Sequence, residues 1–115
     1  MSMTQLTKTF AALADETRFS LVEHLLQHGE ASAGELVGLT HISAPAVSRH
    51  LKVLREAGVV TRRSQGQTRV YAINPESVSR IASWTMDHRE FWETSLDRLG
   101  AAIEAKQNKD GGTDG

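Results

Sequence analysis

Between Ser43 and Ile73 the spacing of apolar residues changes from a helical period to a period of two, and few small folds accommodate that change in so short a stretch. Val47, Leu51 and Leu54 stand at i, i+4 and i+7, one face of a helix. Ser43 supplies an N-cap oxygen, Pro45 falls in the first turn where its missing N–H costs little, and Gly58 ends the run. Residues 59–63 and 69–73 then read as short strands around Ser64, Gln65, Gly66 and Gln67, with Gly66 free to take the positive φ that a hairpin loop needs. A small two-stranded wing is therefore expected directly after this helix.

Upstream, Leu6, Phe10, Leu13 and Ala14 recur at helical spacing over residues 4–14. Asp15 is placed to cap a second helix over 16–28, with Phe19, Val22, Leu25 and Leu26 as its core stripe and Gly29 at its end. Ser32 and Glu35 form a capping-box pattern that opens a very short third helix, and a turn over 39–42 leads to Ser43. After the wing, Asn74-Pro75 starts one long last helix bearing Val78, Ile81, Trp84, His88, Trp92, Leu96, Leu99 and Ile103 at steps of three or four. That stripe is too long for the core of a chain of 115 residues, and a partner subunit is the natural place to bury it. The predicted fold is mainly α with a small β-hairpin wing, in the order α-α-α-α-β-β-α. Residues 1–107 are expected to form one winged-helix domain, and 108–115, with three glycines and no apolar residue, a disordered tail.

The net charge of −1 conceals a division along the chain. Residues 39–69 carry Arg49, Lys52, Arg55, Arg62, Arg63 and Arg69 against the single acid Glu56, a local +5, while the segments on either side are each −3. A basic block that coincides with a helix-turn-helix and its wing is the electrostatic footprint of a duplex DNA contact. In that geometry the second helix of the motif enters the major groove with its N-terminal half on base edges. Ser43, Ala44, Ala46, Ser48, Arg49 and His50 are the residues expected there, with Arg49 suited to guanine and Ala46 to a thymine methyl. Lys52, Arg62, Arg63 and Arg69 are expected on phosphates, and Gln65, Gln67 and Thr68 near the minor groove. The different-class alternative is a winged helix that contacts only protein, its arginines simply solvated.

Two stretches carry a family resemblance: Phe10-Ala-Ala-Leu-Ala-Asp-Glu-Thr-Arg-Phe, and Ser43-Ala-Pro-Ala-Val-Ser-Arg-His-Leu-Lys-Val-Leu-Arg-Glu-Ala-Gly-Val-Val. From about Leu6 to Leu99 the chain resembles the ArsR/SmtB family of bacterial winged-helix repressors. The resemblance implies a homodimer that binds a partly palindromic operator and is released by an effector, joined through its first and last helices. Leu6, Phe10, Ile81, Trp84, His88, Trp92, Leu96 and Leu99 are the interface candidates.

Departures from the family narrow the effector. Arsenic and cadmium sensors of the family carry two cysteines in the third helix, where this chain has Ser32 and Gly34 and no cysteine anywhere. Its zinc sensors use Asp-x-His and a later His-x-x-Glu on the last helix, whereas Asp87 is followed directly by His88 and no histidine lies beyond. The chain therefore resembles a cysteine-free subgroup that lacks the usual metal motifs. His24 and His28 stand at i, i+4, a spacing that can hold zinc, but on a polar face with no further ligands evident, so a metal-responsive repressor with an unrecognised site stays as an alternative. Trp84, Phe91 and Trp92 are read as interface packing, with an effector pocket as the lesser reading. Ser48 and His50 lack an orienting third group, no phosphate-cradling loop exists, and neither an enzyme nor a cofactor is expected. No apolar run suits a signal core or a membrane span, so a cytoplasmic location is expected, with a small-molecule effector left open.

Overall fold

A computed structural model describes residues 3–113, with side chains through residue 107. The helices and strands follow as α1 (Met3–Leu13), α2 (Glu16–His28), β1 (Ala31–Ser32), α3 (Ala33–Gly38), α4 (Ala44–Glu56), β2 (Val60–Gln65), β3 (Thr68–Ile73), α5 (Pro75–Asp87) and α6 (Arg89–Thr113). This is a winged helix-turn-helix, and the chain divides into two compact units, Met1–Ile81 and Ala82–Gly115.

The helix starts obey local capping chemistry. Asp15, Ser32 and Ser43 all have extended backbones, and their side chains accept from the backbone N–H of Arg18, Glu35 and Ala46 respectively. Each removes one of the orphan donors that a helix N-terminus leaves. Asn74 opens α5 differently: its Oδ1 accepts from the Glu76 N–H, while its Nδ2 donates to the Gly58 carbonyl and its own N–H to the Val59 carbonyl. Ser77, fully buried, adds a hydroxyl donation to the Asn74 carbonyl at 2.7 Å. The start of α5 is thereby tied to the bend between α4 and β2. At that bend Gly58 has φ +76°, and a Cβ there would lie 3.3 Å from Gln5 Nε2 and 3.4 Å from Arg80 Nη2.

The core of the first unit is a cluster of Leu21, Val22, Leu25, Leu36, Val47, Leu51, Leu54, Val59, Val60 and Tyr71. The predicted stripe of α4 is buried throughout. That of α2 needs correction: Phe19 and Leu26 are each 53% exposed, and Leu21 takes the inward place. Helix α2 bears two apolar stripes one residue apart, and periodicity alone does not choose between them. The one facing Leu36 and Leu54 is buried.

The sheet has three strands, not two. β3 is central, paired antiparallel with β2 from Val60↔Ile73 to Gln65↔Thr68 and with β1 through Ala31↔Tyr71 and Ser32↔Val70. A two-residue strand has no readable periodicity, which is why β1 is invisible in the sequence. The hairpin loop tightens to Gly66 and Gln67, with φ +63° at Gly66 and no positive φ at Gln67, the sign pattern of a type II′ turn.

The expected single last helix is interrupted at His88, where the backbone closes a tighter turn onto the Thr85 carbonyl. The His88 Nδ1 donates to the Trp84 carbonyl at 2.8 Å, filling an acceptor near the end of α5. Helix α6 is described to Thr113, past the boundary at 107 expected for the folded part. Adding residues to an existing helix is far less costly than starting one. Residues 114 and 115 of the expected tail lie outside the described residues.

The assignment of the α2 stripe has a direct test. Leu21→Ala should lower the unfolding free energy by about 2–5 kcal/mol, as for other fully buried leucines. Leu26→Ala on the exposed stripe should change it by less than about 0.5 kcal/mol. Urea denaturation followed by circular dichroism distinguishes the two.

Candidate nucleic-acid interface

Helix α4 buries one face and leaves the other to solvent. Ser43, Ala44, Ser48, Arg49 and Lys52 are exposed, and Ala46 is half-buried. The turn before α4 is held by Thr40, whose backbone N–H and hydroxyl both donate to the Val37 carbonyl at 3.1 and 3.0 Å. Lys52 lies 3.9 Å from Glu56, an exposed pair of little energetic weight. Arg49 makes no side-chain hydrogen bond or ion pair among the described residues, so its guanidinium is available to a ligand.

His50 is placed differently from the expectation. It is half-buried and turned toward the α1–α2 corner, where its Nδ1 lies 3.3 Å from Arg18 Nη1 and 3.8 Å from Asp15 Oδ2. A guanidinium only donates, so Nδ1 is the acceptor and the ring proton sits on Nε2. The shorter contact decides this over an ion pair with Asp15, which would require a protonated Nδ1. Arg18 also donates through Nε to the Ala12 carbonyl at 2.6 Å and through Nη2 to the Ala11 carbonyl at 3.5 Å. Asp15 was legible as a cap, but nothing in the sequence marks the contact between Arg18 and a histidine 32 residues away.

Adjacent strand residues point to opposite faces of a sheet, and this separates the arginines of the wing. The register places Arg62 opposite Tyr71 and Ser64 opposite Arg69, so Arg62 and Arg69 share a face. Arg69 and Tyr71 line a cavity of about 320 Å³ with Ala44, Val47, Ser48 and Leu51, so this is the face turned toward α4. Neither Arg62 nor Arg69 has a side-chain partner among the described residues. Arg63 is on the other face with Gln65, Thr68 and Val70. There it forms a 2.6 Å ion pair with Glu30 and donates to Gln65 Oε1 at 3.0 Å. Arg63, expected on a phosphate, thus differs from Arg62 and Arg69 in sharing its charge with Glu30. Gln67 sits in the exposed turn at the wing tip.

Of the expected interface residues, Leu6 is corrected: at 8% exposure its side chain is already covered within the chain and has little surface to give a partner. Phe10 keeps 39% of its surface, and Ile81 is half-buried. In the second unit Trp84, His88, Trp92, Leu96 and Leu99 are all exposed. Among the described residues no group of three or more His, Asp or Glu side chains is placed to hold a metal ion. His24 and His28 have ring centroids 4.4 Å apart, and Ser32 is occupied as the cap of α3. No helix among the described residues is long and apolar enough to cross a membrane.

With this geometry established, the comparisons with known proteins are decisive. Residues 15–62, from the cap of α2 to the third residue of β2, match the bacterial regulatory protein arsR family. The chain is 37% identical over 99 residues to the HTH-type transcriptional regulator Rv2034 of Mycobacterium tuberculosis, covering 86% of this chain and 89% of that protein. It is 35% identical over 104 residues to the arsenical resistance operon repressor of Escherichia coli, covering 89% and 86%. The chain belongs to the ArsR family. Among solved structures it is similar to the homodimeric winged helix-turn-helix DNA-binding domain Mb0332 from Mycobacterium bovis. That likeness has a TM-score of 0.62 at 26% identity, covering 76% of this chain and 82% of the other. These ArsR relatives are transcriptional regulators, not enzymes.

The α2 cap carries a pH signature. The Arg18 backbone N–H holds the Asp15 carboxyl below the usual aspartate range against an opposing effect of partial burial, and the charge of Arg18 and the Thr17 backbone N–H add to the lowering. A carboxyl lowered in the folded state stabilises the fold fully above its unfolded value, and the contribution is lost as pH falls through the folded one. Asp15→Asn keeps a capping oxygen but cannot titrate. Its stability should therefore fall less steeply than that of the wild type below about pH 4, as measured by urea unfolding across acid pH.

Proposed function

We propose that this ArsR-family chain is a homodimeric repressor that binds an inverted-repeat operator, with α4 in the major groove and the wing on the flanking phosphates. The reading rests on one observation above all: unpartnered Arg49, Arg62 and Arg69 stand on or beside the exposed face of a helix whose opposite face is wholly buried. Ser43, Ala44, Ala46, Ser48 and Arg49 read bases, and Lys52, Arg62 and Arg69 set the register on phosphates. The repressor role agrees with the E. coli relative, and the dimer with the homodimeric M. bovis domain and with the exposed apolar ridge over Trp84, Trp92, Leu96 and Leu99. A chain without cysteine has no thiolate for arsenite, so the effector, where one acts, is of another chemistry.

Selection of random duplex DNA on the purified protein tests this reading. The expected product is an inverted repeat with half-sites about 34 Å apart, one helical turn. Absence of enrichment over non-specific duplex favours a module that binds protein instead. On the selected operator, Arg62→Ala should weaken binding to all sequences and reduce the slope of log affinity against log salt by about 1. Arg63→Ala should change that slope less, because Glu30 already neutralises it. Arg49→Ala should relax base preference at one position by about 1–3 kcal/mol, read as the affinity ratio between matched and mismatched operators.

A further inference from the structure

The interhelical contact at the α1–α2 corner does something the apolar core cannot. Packing of Val47, Leu51 and Leu54 decides which face of α4 is inside, but hydrophobic burial is non-directional and tolerates small rotations and slides of a helix. Base reading tolerates little, since a binding group must sit within about 0.5 Å of its productive position. Gln5 of α1 donates to the carbonyl of Ala57, the C-cap of α4, at 3.1 Å, but the directional bond to a side chain on the body of α4 comes from Arg18. Every nitrogen of that guanidinium is engaged: Nε and Nη2 on carbonyls in the last turn of α1, and Nη1 on His50 in the middle of α4. The Arg18 backbone is itself pinned, because its N–H is the donor that the Asp15 cap accepts at 3.0 Å. One residue at the first turn of α2 therefore joins the end of α1, the start of α2 and the middle of α4.

We propose that Arg18 is a positioning residue for operator reading: it fixes His50 in the tautomer with its proton on Nε2 and sets the rotation of α4 about its buried stripe. The proposal rests on the DNA-binding reading above and assigns the specificity of that site partly to a residue on another helix. Phosphate contacts from long, flexible arginines accommodate a small rotation of α4, whereas contacts to base edges do not. Loss of Arg18 therefore lowers affinity for the operator far more than affinity for unrelated duplex. A lysine retains the charge but presents one compact ammonium in place of a three-nitrogen fork, so it cannot span α1 and His50 together.

The test compares wild type, Arg18→Lys and Arg18→Gln on the selected operator and on a scrambled duplex of the same length by fluorescence anisotropy. Imidazole ¹⁵N shifts of His50 are recorded in parallel, and circular dichroism reports folding. Both variants are expected to lose about tenfold in the ratio of operator to scrambled affinity, the worth of one charge-assisted hydrogen bond. Scrambled-duplex binding should stay within about twofold, and His50 should move from a single Nε2–H tautomer to a mixture. A folded Arg18→Lys protein with an unchanged ratio and an unchanged tautomer overturns the proposal. So does an equal loss on both duplexes accompanied by lost helicity, which assigns Arg18 to stability alone. Failure of the wild-type protein to enrich any duplex overturns the DNA reading and the proposal with it, whereas enrichment by the wild type with indifferent Arg18 variants overturns the proposal only.

Discussion

The buried stripe of α4 is the constraint from which the rest of the first unit follows. Val47, Leu51 and Leu54 meet Leu21 and Leu25 of α2, Leu36 of α3 and Val59 and Val60 at the start of the wing in one cluster. A helix with a fully buried face must turn its remaining residues to solvent, and over the first part of α4 these include the small or cationic Ala44, Ser48, Arg49 and Lys52, with Val53 and Glu56 exposed nearer its end. The same packing sets the wing. Val60 and Tyr71 are the inward residues of β2 and β3, so the face they occupy is the one on which Arg62 and Arg69 emerge farther along the hairpin. Core packing thus decides which charges share a side with the reading helix.

Charge counted along a chain is a weaker guide than charge resolved by face. The basic block of residues 39–69 holds six cations, yet the structure gives them unequal freedom. Arg63 is held by Glu30 at 2.6 Å, beside a hollow that also includes Glu35, so that side of the wing carries mixed charge. Arg49, Arg62 and Arg69 are unpaired among the described residues. An exposed ion pair contributes little to stability, but it lowers the net charge that a nearby phosphate would feel. Two adjacent arginines in the sequence therefore have different electrostatic roles, and the period of the strand is the reason.

What was legible in the sequence was local chemistry. The caps at Asp15, Ser32 and Ser43 depend on residue type and on the next three positions, and all three stand as expected. Gly66 required a turn and Gly58 a helix stop, and both have positive φ. The α4 stripe was readable because no second apolar stripe competes with it. The features that escaped are those that depend on distant partners. β1 exists only because β3 offers an edge, Leu21 displaces Phe19 because Leu36 and Leu54 lie on its side, and Arg63 meets a glutamate 33 positions earlier. In the candidate site the residue types and the helix that bears them were readable. The inward turn of His50 was not, since its partner belongs to another helix.

The second unit shows what an interruption does to an apolar stripe. In an unbroken helix Trp84 and Trp92, eight residues apart, would be separated by about 12 Å along the axis. Their ring centroids are 6.3 Å apart, and Phe91 meets Trp92 edge-on at 5.0 Å. The break at His88 therefore draws the aromatic residues into one cluster instead of spacing them along a rod. That cluster does not bury itself: Trp84 and Trp92 remain 37% and 39% exposed, Phe91 61%, and Leu96, Leu99 and Ile103 continue the ridge at 65%, 57% and 47%. Rings packed edge to face hold each other's orientation and so present a shaped surface, which a two-fold axis can set against its own copy. In the proposed dimer the aromatic cluster fixes the shape and the leucines beyond it supply area, a division of labour that a straight helix with the same residues would not offer.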